Sequence, residues 1–353
     1  MSRKNSILSS NAFYTLLSIV IGFIVGAVLL AVAKINPLEA YIQLFNGIFG
    51  KPKFMIWCLI YAAPLIFTGL SVAFSFKTGV FNIGAEGQFV VGSLTACVLG
   101  ILIKAPAIIH VPLCFIGAAI AGGIWGSIVG LLKIKKGVNE VLSYIMFNWI
   151  AFYLSNFIVN LTVIHKESGG EATKDIASTA RILAPKSIIA ATGASAANWG
   201  FVIAIVFATA VWFIINKTTL GFKLRAVGFS NSAAQYAGID TGKSFLTAFS
   251  GALAGIGGAV QLMGMSGRIS QFSGQEGYGF QGITVALIAS SNPIACIFAG
   301  IFYGAMKYGG SKLSLVNAPS EVVDIIMGVI ILFIAISSLF RNIFLNHGKK
   351  GAV

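Results

Sequence analysis

The segment of residues 76–90, FKTGVFNIGAEGQFV, places a carboxyl group between two long apolar runs. Glu86 is ionisable, and Gly79, Gly84 and Gly87 allow the backbone around it to leave helical geometry. In a membrane, irregular backbone and a buried charge are tolerated only where protein surrounds them or a watery cavity adjoins them. The sequence therefore predicts that this segment lines a translocation passage.

A second polar stretch, residues 268–282 (RISQFSGQEGYGFQG), precedes a short apolar run. It combines amide, carboxyl and aromatic side chains with glycines, which suits recognition of a neutral polar solute that carries a planar ring. An ordinary outer loop is an equally open interpretation. Residues 84–96 and 277–289 also echo each other, because both begin with spaced glycines and continue into apolar helix. Repeated segments of this kind point to a central site in transporters.

Residues 216–243 predict a cytoplasmic coupling loop with a short capped helix. Asn231 is a good N-cap, and Gly238 suits the left-handed position that ends a helix. Because so short a helix is not stable alone, docking in a partner's groove explains it, with a plain connector as the alternative. Residues 242–244 imitate the end of a phosphate-binding loop, but Ala237 stands where that motif needs glycine and no strand precedes it. We expect no ATP hydrolysis by the chain itself.

Composition indicates an all-α polytopic membrane protein with a single integral domain, residues 1–353. Of its residues 57% are hydrophobic and 10% charged, and the mean hydropathy is +0.90, which lies outside the soluble range. The net charge of +14 arises from lysines and arginines in short loops, a placement that suits membrane orientation rather than nucleic-acid binding. The four cysteines and three histidines have no metal-ligand spacing, so neither a cofactor nor an enzyme is expected.

About ten transmembrane helices are predicted, since a span needs about 20 apolar residues. The apolar runs lie at 12–33, 55–75, 81–103, 111–132, 141–162, 198–215, 244–264, 293–310 and 321–340, with a shorter one at 281–291. Gly-broken or half-helices are expected near 76–90 and 268–292. The lysine and arginine distribution predicts cytoplasmic termini and an extracytoplasmic loop at 163–197, for which a solvated linker is the alternative. Run 12–33 reads as an uncleaved span rather than a signal peptide.

Four segments occur in order along the chain: FNIGAEGQ (81–88), NEVLSYIMFNWIA (139–151), GFKLRAVGFSNSAAQYAGI (221–239) and GYGFQGITVALIASSNP (277–293). Together they resemble the permease subunits of bacterial ABC importers for branched-chain amino acids and simple sugars. They are most similar to the nucleoside permeases that work with a basic-membrane-protein-type lipoprotein. The resemblance implies a bacterial cell-membrane location, an ABC ATPase subunit that uses ATP, a second, non-identical permease subunit and a substrate-binding lipoprotein.

The resemblance also implies roles for particular residues. The candidates for the translocation path are Phe81, Asn82, Glu86, Gln88, Asn148, Phe280 and Gln281. The candidates for coupling to the ATPase are Arg225, Asn231, Ala233, Ala234 and Gly238. From the residues alone, hydrogen bonding between helices is an alternative role for Asn148. Transport is expected to proceed by alternating access, a two-state change biased by nucleotide on the partner subunit.

Two alternatives stay open. One is a permease for simple sugars or branched-chain amino acids in the same family. The other is an ion-coupled secondary transporter, which needs an intramembrane pair of ionisable side chains. The pair with helical spacing is Glu321 and Asp324, near the end of a span.

Overall fold

The computed structural model describes residues 11–167, 169–239 and 244–350. Within these ranges the chain is helical and contains no β-strand, only isolated bridges. Its α-helices are α1 (Asn11–Val32), α2 (Pro37–Phe49), α3 (Pro52–Lys77), α4 (Ala85–Leu102), α5 (Ala107–Lys136), α6 (Glu140–Val159), α7 (Lys186–Thr192), α8 (Gly200–Lys217), α9 (Thr219–Phe229), α10 (Asn231–Tyr236), α11 (Ser244–Gln261), α12 (Tyr278–Ile288), α13 (Pro293–Gly310) and α14 (Glu321–Lys350). A π-helical turn, Leu262–Ser266, follows α11 directly.

Seven helices in the described ranges are long and apolar enough to cross a membrane. They are α1, α3, α4, α5, α6, α8 and α11 with its π-helical turn. The prediction of about ten spans is therefore confirmed only for these seven. Runs 293–310 and 321–340 are helical but are not among them, and run 281–291 corresponds to the short helix α12. On α5, a stripe of exposed isoleucines at every fourth position, residues 116 to 128, is typical of a face that contacts lipid.

Both expected helix breaks are present. α3 ends at Lys77 and α4 begins at Ala85, while the chain between Gly267 and Gly277 is irregular before α12 begins. α12 has 11 residues, roughly 16 Å at the usual rise per residue, about half a span. The predictions on the first residues and on Lys243, within the sequence that imitates a phosphate-binding loop, lie outside the described ranges.

The described chain forms two compact units. The first contains the residues up to 58 and those from 305 onward. In it α1 packs along α14, where any side chain at Gly26 would overlap Ile326. Asn36 caps α2 by accepting a hydrogen bond from the Leu38 N–H in the first turn. Tyr41 on α2 donates from its hydroxyl to the Phe23 carbonyl at 2.5 Å, and burial raises the pKa of this phenol to about 12.

The second unit, residues 59–304, is built on close packing between α4, α5 and α11. A Cβ at Gly92 on α4 would overlap the Cα of Gly255 on α11. A Cβ at Gly122 on α5 would likewise overlap the Gly251 carbonyl oxygen. The glycines of α5 and α11 therefore face each other at the crossing of the two helices. Small residues at such crossings let two backbones approach directly.

The long loop at 163–197 is ordered against the chain that follows α11. Thr173 is fully buried; its N–H donates to the Ile269 carbonyl at 2.9 Å, and its hydroxyl accepts from the Ile269 N–H at 3.1 Å. Ile176 N–H donates to the Gly267 carbonyl at 2.9 Å. Burial lowers the pKa of Arg181, whose guanidinium lies against the same segment. The loop is thus a packed cover over residues 263–271 rather than a solvated linker.

Candidate functional site

A buried network of uncharged polar side chains holds the break between α3 and α4. Asn82 donates from Nδ2 to Ser250 Oγ at 2.6 Å and to Gln88 Oε1 at 2.8 Å. Its Oδ1 accepts from Gln88 Nε2 at 3.1 Å. Ser71 and Ser75 on α3 both donate to Ser250, each at 2.8 Å. Because buried polar groups are stable only when paired, this network fixes α3, α4 and α11 to one another.

Glu86 lies beside this network and joins two helix N-termini. It stands in the first turn of α4, with a side chain only 1% exposed. Its carboxylate accepts from the backbone N–H of Gly277 at 2.7 Å and of Gly279 at 2.6 Å, at the start of α12. A helix N-terminus presents unpaired N–H groups and a partial positive charge, so a carboxylate is stabilised there. In this structure, protein encloses the Glu86 carboxylate.

The two echoing segments of the sequence meet at this point. Phe89 on α4 stacks on Tyr278 on α12, with ring centroids 5.2 Å apart. A Cβ at Gly279 would overlap the backbone of Glu86. The first turns of α4 and α12 therefore pack directly against each other, around one carboxylate.

Asn148 on α6 binds the backbone of the same break. Its Oδ1 accepts from the Gly87 N–H at 2.8 Å, and its Nδ2 donates to the Ile83 carbonyl at 3.1 Å. This is the interhelical hydrogen bonding that the sequence left open as an alternative. Phe81 is half-buried and stacks on Phe76 with centroids 5.6 Å apart, where α3 ends.

The structure brings the predicted path residues close together. Asn82, Glu86, Gln88 and Asn148 are all buried in one cluster around the start of α4. The remaining candidates on α12, Phe280 and Gln281, lie on the turn that Glu86 anchors; Phe280 is exposed and Gln281 half-buried.

Sequence reasoning missed the serines of the network. Ser71 and Ser75 are four residues apart in an apolar helix, so they share one face. That spacing was an available signal. Ser250, which receives hydrogen bonds from both and from Asn82, gave no such sign, because its partners lie far away in sequence.

Residues 216–239, part of the segment predicted to couple to an ATPase, contain two short helices, α9 and α10, separated by Ser230. Ser230, not Asn231, is the N-cap of α10: its backbone is extended and its hydroxyl accepts from the Ala233 N–H at 3.3 Å. Asn231 is instead the first helical residue and is exposed, as is Ala233. Gly238 has the left-handed backbone predicted for it, with φ of 72°. Ala234 is only 3% exposed, so its side chain packs inward within the folded chain.

The exposed face of this loop is aromatic. Phe229 and Tyr236 are 91% and 95% exposed, one before and one at the end of α10. A cavity of about 330 Å³ lies beside Phe229, where the ends of α3, α8 and α9 meet residues 290–291. Arg225 lines it, and the Nε of this arginine is buried with no hydrogen-bond partner in the described chain.

Among the described residues, no group of three or more His, Cys, Asp or Glu side chains could hold a metal ion. The site is therefore built from amides, hydroxyls, one anchored carboxylate and aromatic rings.

The sequence matches known proteins over nearly its whole length. The family described as branched-chain amino acid transport system / permease component matches residues 54–335. The guanosine ABC transporter permease protein NupP of Bacillus subtilis is 39% identical, over 97% of this chain and 98% of that protein. The nucleoside ABC transporter permease protein NupB of Lactococcus lactis is 32% identical, over 92% and 91%. The glucose ABC transporter permease protein TsgB13 of Haloferax volcanii is 30% identical, over 92% and 87%.

B. subtilis and L. lactis each have a second permease that matches this chain. These are the guanosine ABC transporter permease protein NupQ of B. subtilis, 28% identical, and the nucleoside ABC transporter permease protein NupC of L. lactis, 26% identical. No solved structure matches the chain.

Proposed function

The chain belongs to the permease family of branched-chain amino acid transport systems, and from this membership we propose that it is the permease subunit of a nucleoside ABC importer. It is a multi-pass membrane protein with seven helices of spanning length in its described part. The observation that carries the solute class is the 39% identity to a guanosine permease across the full length of both chains.

In this complex, other subunits hydrolyse ATP and deliver the solute. A separate ABC ATPase hydrolyses ATP, and a substrate-binding lipoprotein delivers solute from outside a bacterial cell membrane. The second permease is non-identical. In its support, two relatives of this chain come from bacteria that each have a second, less similar permease described with the same solute. Both termini lie in the cytoplasm.

The translocation path runs along the junction of α4 and α12. Phe81, Phe280 and Gln281 supply its accessible surface, since these candidates retain exposure in the folded chain. Asn82, Glu86, Gln88 and Asn148 position that surface, because their side chains bind one another or the backbone of the breaks. Irregular backbone buried in protein at a membrane site is typical of transport paths.

Coupling to the ATPase occurs through residues 216–243. The exposed rings of Phe229 and Tyr236 flank α10 and provide the large apolar contacts that anchor an interface. Arg225 and Gly238 support this surface from the adjoining helix and the helix end. ATP-driven closure of the ATPase moves α9 and α10, the spans tilt, and the path opens outward; hydrolysis resets it. This is a two-state element biased by a ligand on another subunit.

Uptake by proteoliposomes tests the proposal. The chain is reconstituted with its ATPase, its second permease and its binding protein, and labelled guanosine inside the vesicles is counted. We expect accumulation only with ATP, and none with an ATPase variant that cannot hydrolyse it. Accumulation by this chain alone, without nucleotide, would contradict the assignment and would favour the ion-coupled transporter.

A sugar permease is the second candidate, favoured by the 30% identity to a glucose permease over 92% of the chain. Unlabelled glucose and unlabelled inosine, each added at the same excess over labelled guanosine, separate the two. Competition by inosine alone supports nucleoside import. Glucose accumulation without guanosine accumulation would replace the nucleoside by a sugar while leaving the transporter class intact.

A further inference from the structure

A small cavity of about 120 Å³ lies beside the π-helical turn that follows α11. Its lining includes Ser93 on α4, Gln261 at the end of α11, and Arg268, Phe272 and Glu276 on the irregular chain before α12. Ser93 is seven residues beyond Glu86 on the same helix, about 10 Å along its axis. The cavity is therefore separate from the Asn82 network, on the side covered by residues 163–197.

Two polar residues that are largely buried form the floor of this cavity. Ser93 is 6% exposed and Gln261 is 8% exposed, and both residues line the cavity. Buried hydroxyl and amide groups are stable only when a partner satisfies them. π-Helical turns are rare and occur often at functional sites, and this one begins immediately after Gln261. The floor thus offers a hydroxyl and an amide to a hydrogen-bonding occupant.

The rim of the cavity, formed by Arg268, Phe272 and Glu276, is held in place by contacts within the protein. Asn156 on α6 accepts from the Phe272 N–H and donates to the Phe272 carbonyl, both at 2.9 Å. Gly277, next to Glu276, is fixed by its bond to Glu86. A rim clamped at both ends loses little conformational entropy on binding, which favours affinity.

The chemistry of the lining defines the class of occupant. Resting on the nucleoside import proposed above, we propose that this cavity binds the pentose hydroxyls of the nucleoside in transit. A cavity of 120 Å³ is smaller than the 300–1,000 Å³ usual for whole ligands, so it takes one part of the solute. Hydroxyl groups donate and accept, as do Ser93 and Gln261 together. The rim carries one cation and one anion, so it does not favour a charged solute.

The test uses the complete importer in proteoliposomes and compares uptake of guanosine with uptake of 2′,3′-dideoxyguanosine. The ratio of the two measures the contribution of the sugar hydroxyls. Gln261→Leu removes the amide and nearly keeps the volume, whereas Ser93→Ala removes a single oxygen. The same binding protein is present throughout, so its own preference cancels when variants are compared. We expect each substitution to lower the ratio by about fivefold, as the loss of one hydrogen bond does.

Gln43→Leu and Ser127→Ala are matched controls. Neither side chain lines the cavity, and the Ser127 hydroxyl bonds within its own helix at 2.7 Å. Both controls should leave the ratio at the wild-type value. If Gln261→Leu and Ser93→Ala leave the ratio unchanged, or slow both solutes equally, the cavity holds water and the inference is wrong. Ser93→Ala alters so little volume that a folding defect cannot explain its result.

Failure of the proposed function gives a different outcome. If the wild-type complex imports glucose but no nucleoside, the function is wrong, and the ratio of glucose to 2-deoxyglucose uptake then tests the same hydroxyl subsite with the same variants. If the wild-type complex imports valine alone, both the function and the subsite are wrong. Purified full-length chain in nanodiscs, probed with guanosine by saturation-transfer NMR, adds a measurement that needs no partner: the signal of the ribose protons should fall in both variants.

Discussion

Replacing Glu86 by Gln should detach α12 from α4 while leaving the rest of the chain folded. α12 has 11 residues and is too short to be stable alone. Its first N–H groups are held by the Glu86 carboxylate at 2.7 and 2.6 Å. The amide of Gln keeps one acceptor oxygen but turns an NH₂ group toward the other N–H.

The size of the effect follows from these two bonds. A hydrogen bond to a charged group contributes about 1.5–3 kcal/mol and one between neutral groups about 0.5–1.5 kcal/mol. Glu86→Gln loses one charged bond and converts the other to a neutral one, a loss of about 3 kcal/mol. Because Gln is neutral, the variant avoids the desolvation cost of a buried carboxylate, and this offsets part of the loss. The opening equilibrium of α12 should therefore rise by up to about 150-fold.

Hydrogen–deuterium exchange of the full chain in lipid nanodiscs measures this opening. Peptides that cover residues 277–288 should exchange much faster in Glu86→Gln, whereas peptides from α5 should not change. The control is Glu39→Gln, which removes an exposed carboxyl in the first turn of α2. If residues 277–288 exchange at the wild-type rate in Glu86→Gln, the carboxylate does not anchor α12 and the reasoning fails.

Three further changes test other contacts. Gly92→Ala places a methyl group on the backbone of Gly255. The free energy of unfolding should therefore fall by about 1–3 kcal/mol, which a lower midpoint of thermal unfolding would show. Thr173→Val removes the acceptor for the buried Ile269 N–H, which should cost about 1–3 kcal/mol and speed proteolysis of residues 163–197. Tyr236→Ala removes an exposed ring, so co-purification of the ATPase should drop while insertion stays normal.

Each of these changes has a matched control in the chain. Gly328→Ala adds a methyl group where nothing lies within 4 Å and should not lower stability. Thr192→Val removes a hydroxyl that donates within the exposed helix α7 and accepts from the Ala194 N–H at 3.4 Å. None of these bonds involves residues 263–271, so the loop should resist protease as before. Tyr153→Ala removes a ring that is exposed on a span and should keep the ATPase bound. Equal effects of a variant and its control would contradict the corresponding contact.

Hydropathy predicted much of the fold because a span is a local property of the sequence. The seven confirmed spans overlap their predicted runs, and the break before α4 was visible in its glycines. Helix caps are also local, yet the sequence predicts Asn231 as the N-cap of α10, whereas the structure has Ser230, one residue earlier. Ser230 and Asn231 are both good caps, and the choice depends on which backbone is extended. In the structure it is Ser230.

The site depended on contacts that sequence patterns do not contain. Glu86 was recognised as unusual, but its partners are 191 and 193 residues away. Gln261 and Ser93 carry no sequence signal of their own, because a lone amide or hydroxyl in an apolar run is ordinary until neighbouring segments place it at a cavity. The echo between residues 84–96 and 277–289 was the one long-range signal, and the two segments do pack together.

α9 contacts the start of the break between α3 and α4 through Gly228 and Gly79, and this contact bears on how movement of α9 is transmitted. A Cβ on Gly79 would lie 3.0 Å from the Cα of Gly228, so main chain meets main chain with no side chain between them. Side chains accommodate small displacements by changing rotamer. Gly79 and Gly228 have no side chains, so this contact cannot accommodate a displacement in that way. We therefore expect a displacement of α9 to shift residues 78–84 as well, and a larger residue at either glycine to separate the two segments.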